Sequence, residues 1–381
     1  MDEILVNTSI SGAQEQPAVV GFRGTQFVVV WADRGSGDIK GQMFGVNGDK
    51  SSNEFLVNVP AEPGTKRQLP AIVECGLGFA VAWIEQAPGA QPQVKLRTFD
   101  QDTLSGPESQ VSTAAVEPLI RPAMARLADG GFVIVWADTR QNERIRAQRF
   151  GLDGTKSGSD FRANTAAGLH RFPMVAGLIN GNIVIGWRAR LPGPLLVHFQ
   201  IFDSNGPVGG EQTTSLDVTE ATMTSLDSGQ FVIAHVRSAL DGETGFETTV
   251  AQASVFDASG AFANVPFPAT DEQRIVSSWP TLAPLPGGRF LLAWTQVNVD
   301  DVAAGTNVRA KIFSGAEGPL GQAAQLNTST GSQRFSLCAA TTSGPDGETA
   351  FAAWTDDSQT GGDTSSRAVR GRPLPILPGG F

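Results

Sequence analysis

The 381-residue sequence has no tyrosine, only two cysteines and three histidines, and charged residues make up only 17%. The missing tyrosine excludes hydrolases built on a tyrosine nucleophile and lyases that use a tyrosine acid–base group. His170, His198 and His235 stand far apart, so no H-x-x-x-H metal-ligand spacing exists. Cys75 and Cys338 match neither a disulfide framework nor a zinc pattern, and two free, buried thiols are expected. No apolar run reaches the length of about 18 residues that spans a bilayer, so no membrane insertion is expected. Nor does any stretch combine a 3.6-residue apolar period with freedom from glycine and proline, which leaves almost no room for helix. A G-x-S-x-G elbow and a phosphate-cradling glycine loop in its strand-to-helix context are likewise missing.

The formal charge is −10 and the pI about 4.9. Nucleic-acid and anionic-membrane surfaces need clustered cations, so neither partner is expected. The first residues, MDEILVNTS, show no positive segment and no apolar core, so a signal peptide is not read there. That leaves the compartment open between an intracellular protein and a mature secreted form.

What the sequence does have is a repeated word. FVVVWAD (Phe27 to Asp33) returns as FAVAWIE, FVIVWAD, IVIGWRA, FVIAHVR, FLLAWTQ and FAAWTD, with landmark aromatics Trp31, Trp83, Trp136, Trp187, His235, Trp294 and Trp354. The landmarks are 52, 53, 51, 48, 59 and 60 residues apart. A period of that size over seven copies predicts a radially repeated β architecture. In the third copy Ile120 to Leu127 reads as strand a, FVIVWAD as strand b, Arg144 to Phe150 as strand c and Asp160 to Thr165 as strand d. Glycine- and aspartate-rich turns join strands a to b and c to d, as positive-φ hairpin positions require. Strand b is apolar at successive positions, so both of its faces are buried, as they are when every sheet lies between two others. The chain opens on EILVNTS (Glu3 to Ser9), a strand d by its likeness to EFLVNVP, whereas the last copy stops after a strand c, Ser366 to Pro375. The expectation is therefore an all-β, seven-bladed propeller over residues 1–381, one domain, with four antiparallel strands per blade. Strand 3–9 completes the last blade and removes the free edge.

At these residues the chain resembles bacterial β-propeller repeats of the form Q-x-P-x-V … G-G-F-V-V-x-W-x-D … I-x-A-Q-R-F-D-x-x-G … F-x-V-N. The stretches QPAVVGFRGTQFVVVWADRGSGDIKGQMFGVNG and RPAMARLADGGFVIVWADTRQNERIRAQRFGLDG carry the likeness. The resemblance implies the propeller fold and a secreted or cell-surface setting, with a cytoplasmic one as the alternative. It does not select an activity, since propellers include lectins, sialidase-type hydrolases, polysaccharide lyases and scaffolds.

With strand a innermost, the d–a and b–c loops converge on the mouth of the central channel, which makes it the expected ligand site. The longest b–c loops, Arg237 to Glu247, Gln296 to Asn307 and Asp356 to Ser366, belong to blades five to seven. Two residues after each landmark stand Asp33, Glu85, Asp138, Ala189, Arg237, Gln296 and Asp356, with Arg188 and Arg190 beside Ala189. They read either as a bipolar rim or, better supported by their repetition, as anchors of their own turns. Before each strand a comes a second group: Gln16, Gln68, Arg121, His170 with Arg171, Trp279 and Arg334. Of all these, Gln68, Arg121, His170, Arg171, Arg237, Trp279 and Arg334 are the expected ligand contacts, suited to sugar hydroxyls or a carboxylate; the alternative for the group before strand a is a set of plugs that satisfy one another across the pore. His170 is the candidate catalytic group. His235 and His198 read as packing residues with a hydrogen bond.

Two functional readings follow. One is a binding or scaffold module taking a saccharide, peptide or protein at the channel mouth. The other is a lyase or hydrolase of an acidic saccharide, with His170 or a rim carboxylate as acid–base and Arg121, Arg171 and Arg334 as a carboxylate clamp. No cofactor or metal is expected. Calcium is the ion that the oxygens of DGETG (Asp241 to Gly245) and DDSQTGGD (Asp356 to Asp363) would suit, although neither has the twelve-residue loop pattern.

Overall fold

The computed structural model describes residues 2–76, 78–100, 105–139, 144–166, 168–190, 195–240, 247–264, 266–269, 275–298, 303, 305–328, 334–345, 347–360, 362–364, 366–377 and 380–381. Among them there is no α-helix, and 28 strands form seven blades. Blade 1 comprises β2 (Gln14–Phe22), β3 (Gln26–Asp33), β4 (Asp38–Gly45) and β5 (Phe55–Leu56). Blade 2 comprises β6 (Lys66–Cys75), β7 (Gly78–Gln86), β8 (Gln93–Phe99) and β9 (Ser109–Gln110). Blade 3 comprises β10 (Ala123–Arg126), β11 (Phe132–Asp138), β12 (Arg144–Phe150) and β13 (Lys156–Arg162). Blade 4 has β14 (Leu169–Gly177), β15 (Ile183–Arg190), β16 (Leu195–Phe202) and β17 (Pro207–Asp217). Blade 5 has β18 (Ala221–Ser225), β19 (Phe231–Leu240), β20 (Glu247–Phe256) and β21 (Phe267–Pro268). Blade 6 has β22 (Ile275–Leu285), β23 (Arg289–Asn298), β24 (Asn307–Ser314) and β25 (Gly318–Gln325). Blade 7 is β26 (Arg334–Gly344), β27 (Gly347–Asp356), β28 (Ala368–Ile376) and, antiparallel to β28, the N-terminal β1 (Ile4–Leu5).

Seven blades of four antiparallel strands therefore form a ring closed as the sequence implies. The third copy differs in detail: strand a starts only after Pro122, which has no N–H to give the ladder, and strand d spans residues 156–162 rather than 160–165. The first strands of the blades neighbour one another around the channel, from β2 through β6, β10, β14, β18, β22 and β26 back to β2. They pack closely. An added Cβ on Gly21 would lie 2.0 Å from the Thr341 carbonyl oxygen, and one on Gly177 2.1 Å from that of Arg126.

The apolar strand b explains the ring. In β3 the side chains of Phe27, Val29 and Trp31 join the cluster shared with blade 7, while Val28, Val30 and Ala32 join the cluster shared with blade 2. In β11, Phe132, Ile134 and Trp136 face blade 2, and Val133, Val135 and Ala137 face blade 4. The period-2 pleat thus sends alternate side chains to opposite interfaces. Among the described residues there is one such cluster at each of the seven interfaces. Val6, carried by the N-terminal segment, belongs to the one between blades 7 and 1. Cys75 and Cys338 are both free and buried, in blades 2 and 7, which are not neighbours in the ring order.

A polar clasp repeats alongside this core. Opposite the landmark on strand c stands Lys40, Lys95, Arg146, His198, Gln252, Arg309 or Arg370. In five blades that residue reaches a carboxylate on the outermost segment: Lys40–Glu54 3.8 Å, Lys95–Glu108 3.4 Å, Arg146–Asp160 2.6 Å, His198–Glu211 3.3 Å and Arg370–Glu3 3.4 Å. Four of these carboxylates accept a backbone N–H from the preceding blade, Glu54 from Ser9 (2.9 Å), Glu108 from Val59 (3.1 Å), Glu211 from Thr165 (2.8 Å) and Glu3 from Thr328 (2.7 Å). For Glu211, burial alone would raise the pKa. Hydrogen bonds from His198, Thr165 and Ala166 overcome that and hold it at about 2.

Two outcomes test this construction. Deleting residues 1–9 removes Val6 and the strand that covers β28, so the protein should melt several degrees lower and aggregate; an unchanged melting temperature would contradict closure by β1. His235, buried where other blades carry tryptophan, has its pKa lowered to about 4, chiefly by burial. Its folded pKa lies below the ordinary histidine value of about 6.5, so stability is present above that value and is lost as pH falls through the window down to about 4. His235→Phe should flatten the stability–pH curve between those limits; an unaltered slope would show that His235 does not set it.

Candidate functional site

The two groups of residues read from the sequence are partly one group, joined across the a–b ladder. Gln14 pairs with Asp33, Arg67 with Glu85, His170 with Ala189, Ser277 with Gln296 and Arg334 with Asp356. The carboxylates turn inward. Asp33 Oδ1 accepts the Gly35 N–H at 2.8 Å while Oδ2 meets Lys40 Nζ at 2.6 Å. Glu85 meets Arg67 at 2.8 Å, and Asp356 takes Arg334 at 3.0 Å and the Ser358 N–H at 2.7 Å. These are anchors of turns and blades.

Beyond that layer strand a breaks register. In β2, β6, β14, β22 and β26, three residue steps oppose two on the neighbouring strand b. The bulge holds Gln16, Leu69, Phe172, Trp279 and Ser336 at φ between 51° and 60°, and in the first four of these blades the next residue is proline. The pairings Ala123↔Val135 and Thr222↔Ala234 put Arg121 and Glu220 at the same position of blades 3 and 5. One residue per blade therefore reaches the channel mouth: Gln16, Leu69, Arg121, Phe172, Glu220, Trp279 and Ser336.

A left-handed conformation costs a non-glycine residue about 1–2 kcal/mol. It also turns the N–H out of the ladder, where it needs another acceptor. Neighbouring blades supply them. The Gln16 N–H donates to Thr355 Oγ1 at 3.0 Å, the Leu69 N–H to Gln16 Oε1 at 2.9 Å, and the Trp279 N–H to Glu220 Oε2. Arg121 reaches from blade 3 past blade 2, donating to the carbonyls of Gln16 (3.0 Å) and Pro17 (2.9 Å) in blade 1. Burial lowers its pKa from the usual guanidinium value.

The mouth has two electrostatic sides. On the side of blades 7, 1 and 2, Glu15 lies between Arg34 and Arg367, each at 2.6 Å, and Arg367 stacks 4.9 Å over Phe335. Arg34 also donates to Gln68 Oε1 at 3.1 Å, and Gln68 Nε2 to the Pro118 carbonyl at 2.6 Å. On the side of blades 4 to 6, the Arg188 guanidinium lies 3.7 Å over the Phe172 ring, in the field of Glu220. Burial lowers Arg188 to about 10 and raises Glu220, each opposed by the charge of the other. Phe172 is 43% exposed and Trp279 44%, so two aromatic faces stand open beside this pair. Arg171 lies 3.9 Å from Glu117 at the edge.

Of the contacts expected from the sequence, Arg121, Arg171, Gln68 and Trp279 are at the mouth. His170 is fully buried, its Nδ1 2.8 Å from the Gly168 carbonyl and its ring edge-on to Trp187. Arg334 is buried on Asp356, with a further bond to the Thr306 carbonyl. Arg237 is exposed on β19. Glu220, Phe172, Leu69 and Glu15 were not singled out. For Phe172 and Glu220 a signal exists: like Gln16, Arg121 and Trp279, each lies fifteen residues before its landmark. The first calcium candidate, 241–245, lies outside the described residues, as do parts of the three long b–c loops. In the second, Asp356 is engaged as above and Asp363 Oδ2 accepts from Asn7 at 2.8 Å. Among the described residues no group of three or more His, Cys, Asp or Glu could hold a metal.

No protein-family model matches the chain, and no curated protein matches it. Solved structures do. A polysaccharide lyase of family 25, an ulvan lyase, superposes with a TM-score of 0.61 at 11% identity, over 98% of this chain and 94% of that one. An α-L-arabinofuranosidase from Fusarium graminearum, in complex with an iminosugar inhibitor, gives 0.52 at 8% identity, over 98% of each chain. A protein of unknown function from Dyadobacter fermentans gives 0.50 at 12% identity, over 99% and 98%. At these identities the likeness is one of fold.

The raised pKa of Glu220 has a measurable sign. Its folded value lies above the unfolded one, so its contribution to stability is full below the ordinary glutamate pKa of about 4.3 and is lost as pH rises through the folded value. Glu220→Gln should melt higher than the parent at neutral pH, with the gap closing by about pH 4. A variant that is less stable at neutral pH would show that the hydrogen bond to Trp279 outweighs desolvation.

Proposed function

We propose that the protein acts on an acidic saccharide at the channel mouth, between blades 4 and 6. One observation carries this reading: a half-buried carboxyl with a raised pKa, Glu220, sits beside an arginine stacked on an exposed aromatic ring, with a second exposed aromatic, Trp279, at its other side. Sugars present an apolar face to aromatic rings, and a guanidinium pairs with a uronate carboxylate or a sulfate. A carboxyl whose burial raises its pKa holds its proton to higher pH than an ordinary glutamate, which suits it to general acid work on a glycosidic oxygen.

In this reading Trp279 and Phe172 carry the sugar faces, and Arg188 and Arg171 meet the negative group. Glu220 protonates the leaving glycosidic oxygen as its bond to the anomeric carbon breaks, and takes a proton back from the water that adds there. In a lyase its carboxylate instead removes the proton at C5, the C4–O bond breaks to leave an unsaturated uronate, and the departing oxygen takes that proton from Glu220. Saccharide chemistry on the same fold supports it: the ulvan lyase above has also been solved bound to -[GlcA(1-4)Rha3S]-. Arg121 braces the floor and does not clamp substrate, since its fork is committed to blade 1.

The test incubates the protein with uronate-containing polysaccharides and follows unsaturated product by ultraviolet absorbance and new reducing ends chemically. Glu220→Gln should lower kcat by about a hundredfold or more with little change in KM, and Trp279→Ala should raise KM. Binding without turnover, unaffected by Glu220→Gln, would leave a binding module. Neither binding nor turnover on any acidic or neutral glycan would overturn the saccharide reading in favour of a peptide ligand or a scaffold.

A further inference from the structure

On the outer wall, between blades 3 and 4, lies a groove of about 340 Å³. It is far from the channel in the blade order, being built from the outermost strand β13 and from the end of β16 with the turn that follows. Its size falls in the range of small-ligand sites, roughly 300–1,000 Å³.

The repeat shows what is unusual here. Arg149 sits on strand c opposite Val133; at the same ladder position the other six blades have Met43, Thr98, Ile201, Val255, Ile312 and Pro373. Arg162 sits on strand d opposite Arg146, and its counterparts are Leu5, Leu56, Gln110, Thr213, Pro268 and Gln325. Both departures place a cation where no other blade has one, and both line this one groove. Among the described residues neither guanidinium has a carboxylate within 4 Å. Arg149 donates to the Asp203 carbonyl at 2.6 Å, and Arg162 to the carbonyls of Thr165 (3.2 Å) and Ala166 (3.0 Å). Each bond fixes the fork and leaves donors of the five-donor group unused. Asp203, the acid in the groove, lies in the field of Arg149, and its Oδ1 is turned to its own turn, accepting from Asn205 (2.7 Å) and Gly206 (2.9 Å).

The rest of the lining supplies hydroxyls and one ring. Ser157 and Ser159 are exposed on β13, and a Cβ added to Gly158 between them would meet nothing within 4 Å, so the wall is open there. Phe161 packs on Phe202 with ring centroids 5.1 Å apart and forms the floor. On a chain of net charge −10, two such arginines beside serine hydroxyls and a phenylalanine face are a local exception.

We propose that this groove is a second, non-catalytic saccharide site that takes a uronate or sulfated sugar residue. Arg149 holds its acid group, with Arg162 adding positive charge at the edge of the groove, while the serines take its hydroxyls and Phe161 its apolar face. The site shares no residue with the channel mouth, and its existence does not depend on chemistry there.

The test is calorimetric titration with a short oligouronate, its neutral counterpart of equal length, and inorganic sulfate. Arg149→Met and Arg162→Leu install residues that blade 1 already carries at these positions, and Ser159→Phe fills the groove from an exposed position. In a background with Trp279→Ala and Arg188→Met at the mouth, the oligouronate should still bind one equivalent. Combining the two arginine substitutions should weaken that binding at least about tenfold, and Ser159→Phe should do the same. The proposal is overturned if these variants leave the titration unchanged, if the mouth substitutions abolish all binding, or if the neutral oligosaccharide binds as well. Inorganic sulfate binding as tightly as the oligouronate would make this an anion site and overturn the saccharide assignment.

Discussion

The structure rests on one constraint: strand b must be buried on both faces. Its pleat sends Phe27, Val29 and Trp31 to one neighbour and Val28, Val30 and Ala32 to the other, so no blade is stable without two others. Fully burying a large apolar side chain contributes about 1.5–3 kcal/mol, and each interface collects several. A linear array would leave two such faces in water. The ring leaves none, which is why the N-terminal segment crosses to blade 7 and brings Val6 with it. The Glu3, Glu54, Glu108 and Glu211 clasps add direction to that packing, since each carboxylate fixes the loop of the blade before it.

The channel mouth follows from the same closure. Seven inner strands crowd one axis, and glycines such as Gly21 and Gly177 let them approach. At the mouth most of these strands break register with a bulge, and the turned-out N–H groups take acceptors from neighbouring blades. Glu220 is one of those acceptors, and its tie to the Trp279 N–H is structural. Its site, though, is dry enough to raise its pKa and is shared with Arg188, whose pKa burial lowers. Chemistry can be placed there because the scaffold already holds a carboxyl and a guanidinium partly desolvated at a fixed distance from two open aromatic faces.

Blade number, strand order and ring closure were legible because they depend on periodic features: the landmark spacing, the doubly apolar strand and the likeness of EILVN to EFLVN. The turn-anchoring role of Asp33 was legible for the same reason. The identity of the inward-facing residues was legible only in part: Gln16, Arg121 and Trp279 were named, but in other blades a bulge shifts the pleat and changes which neighbour points into the channel. Choosing His170 rather than Phe172 is a slip of two residues, enough to move a side chain from mouth to core, whereas Gln68, one residue from Leu69, stays at the mouth. The strand c cations were hidden differently. Variable b–c loops put Lys40 nine residues after its landmark and Arg370 sixteen after its own, so no fixed offset exposes them. The arginines of the outer groove stand out only once ladder register shows what every other blade carries there.

The most direct measurement of the central claim is a crystal structure of the protein soaked with a short oligouronate. The account predicts a sugar ring stacked on Trp279 or Phe172, its carboxylate against Arg188, and a glycosidic oxygen within hydrogen-bond distance of Glu220. A mouth holding only water at saturating ligand, or a sugar bound there with no contact to Arg188 or Glu220, would contradict it.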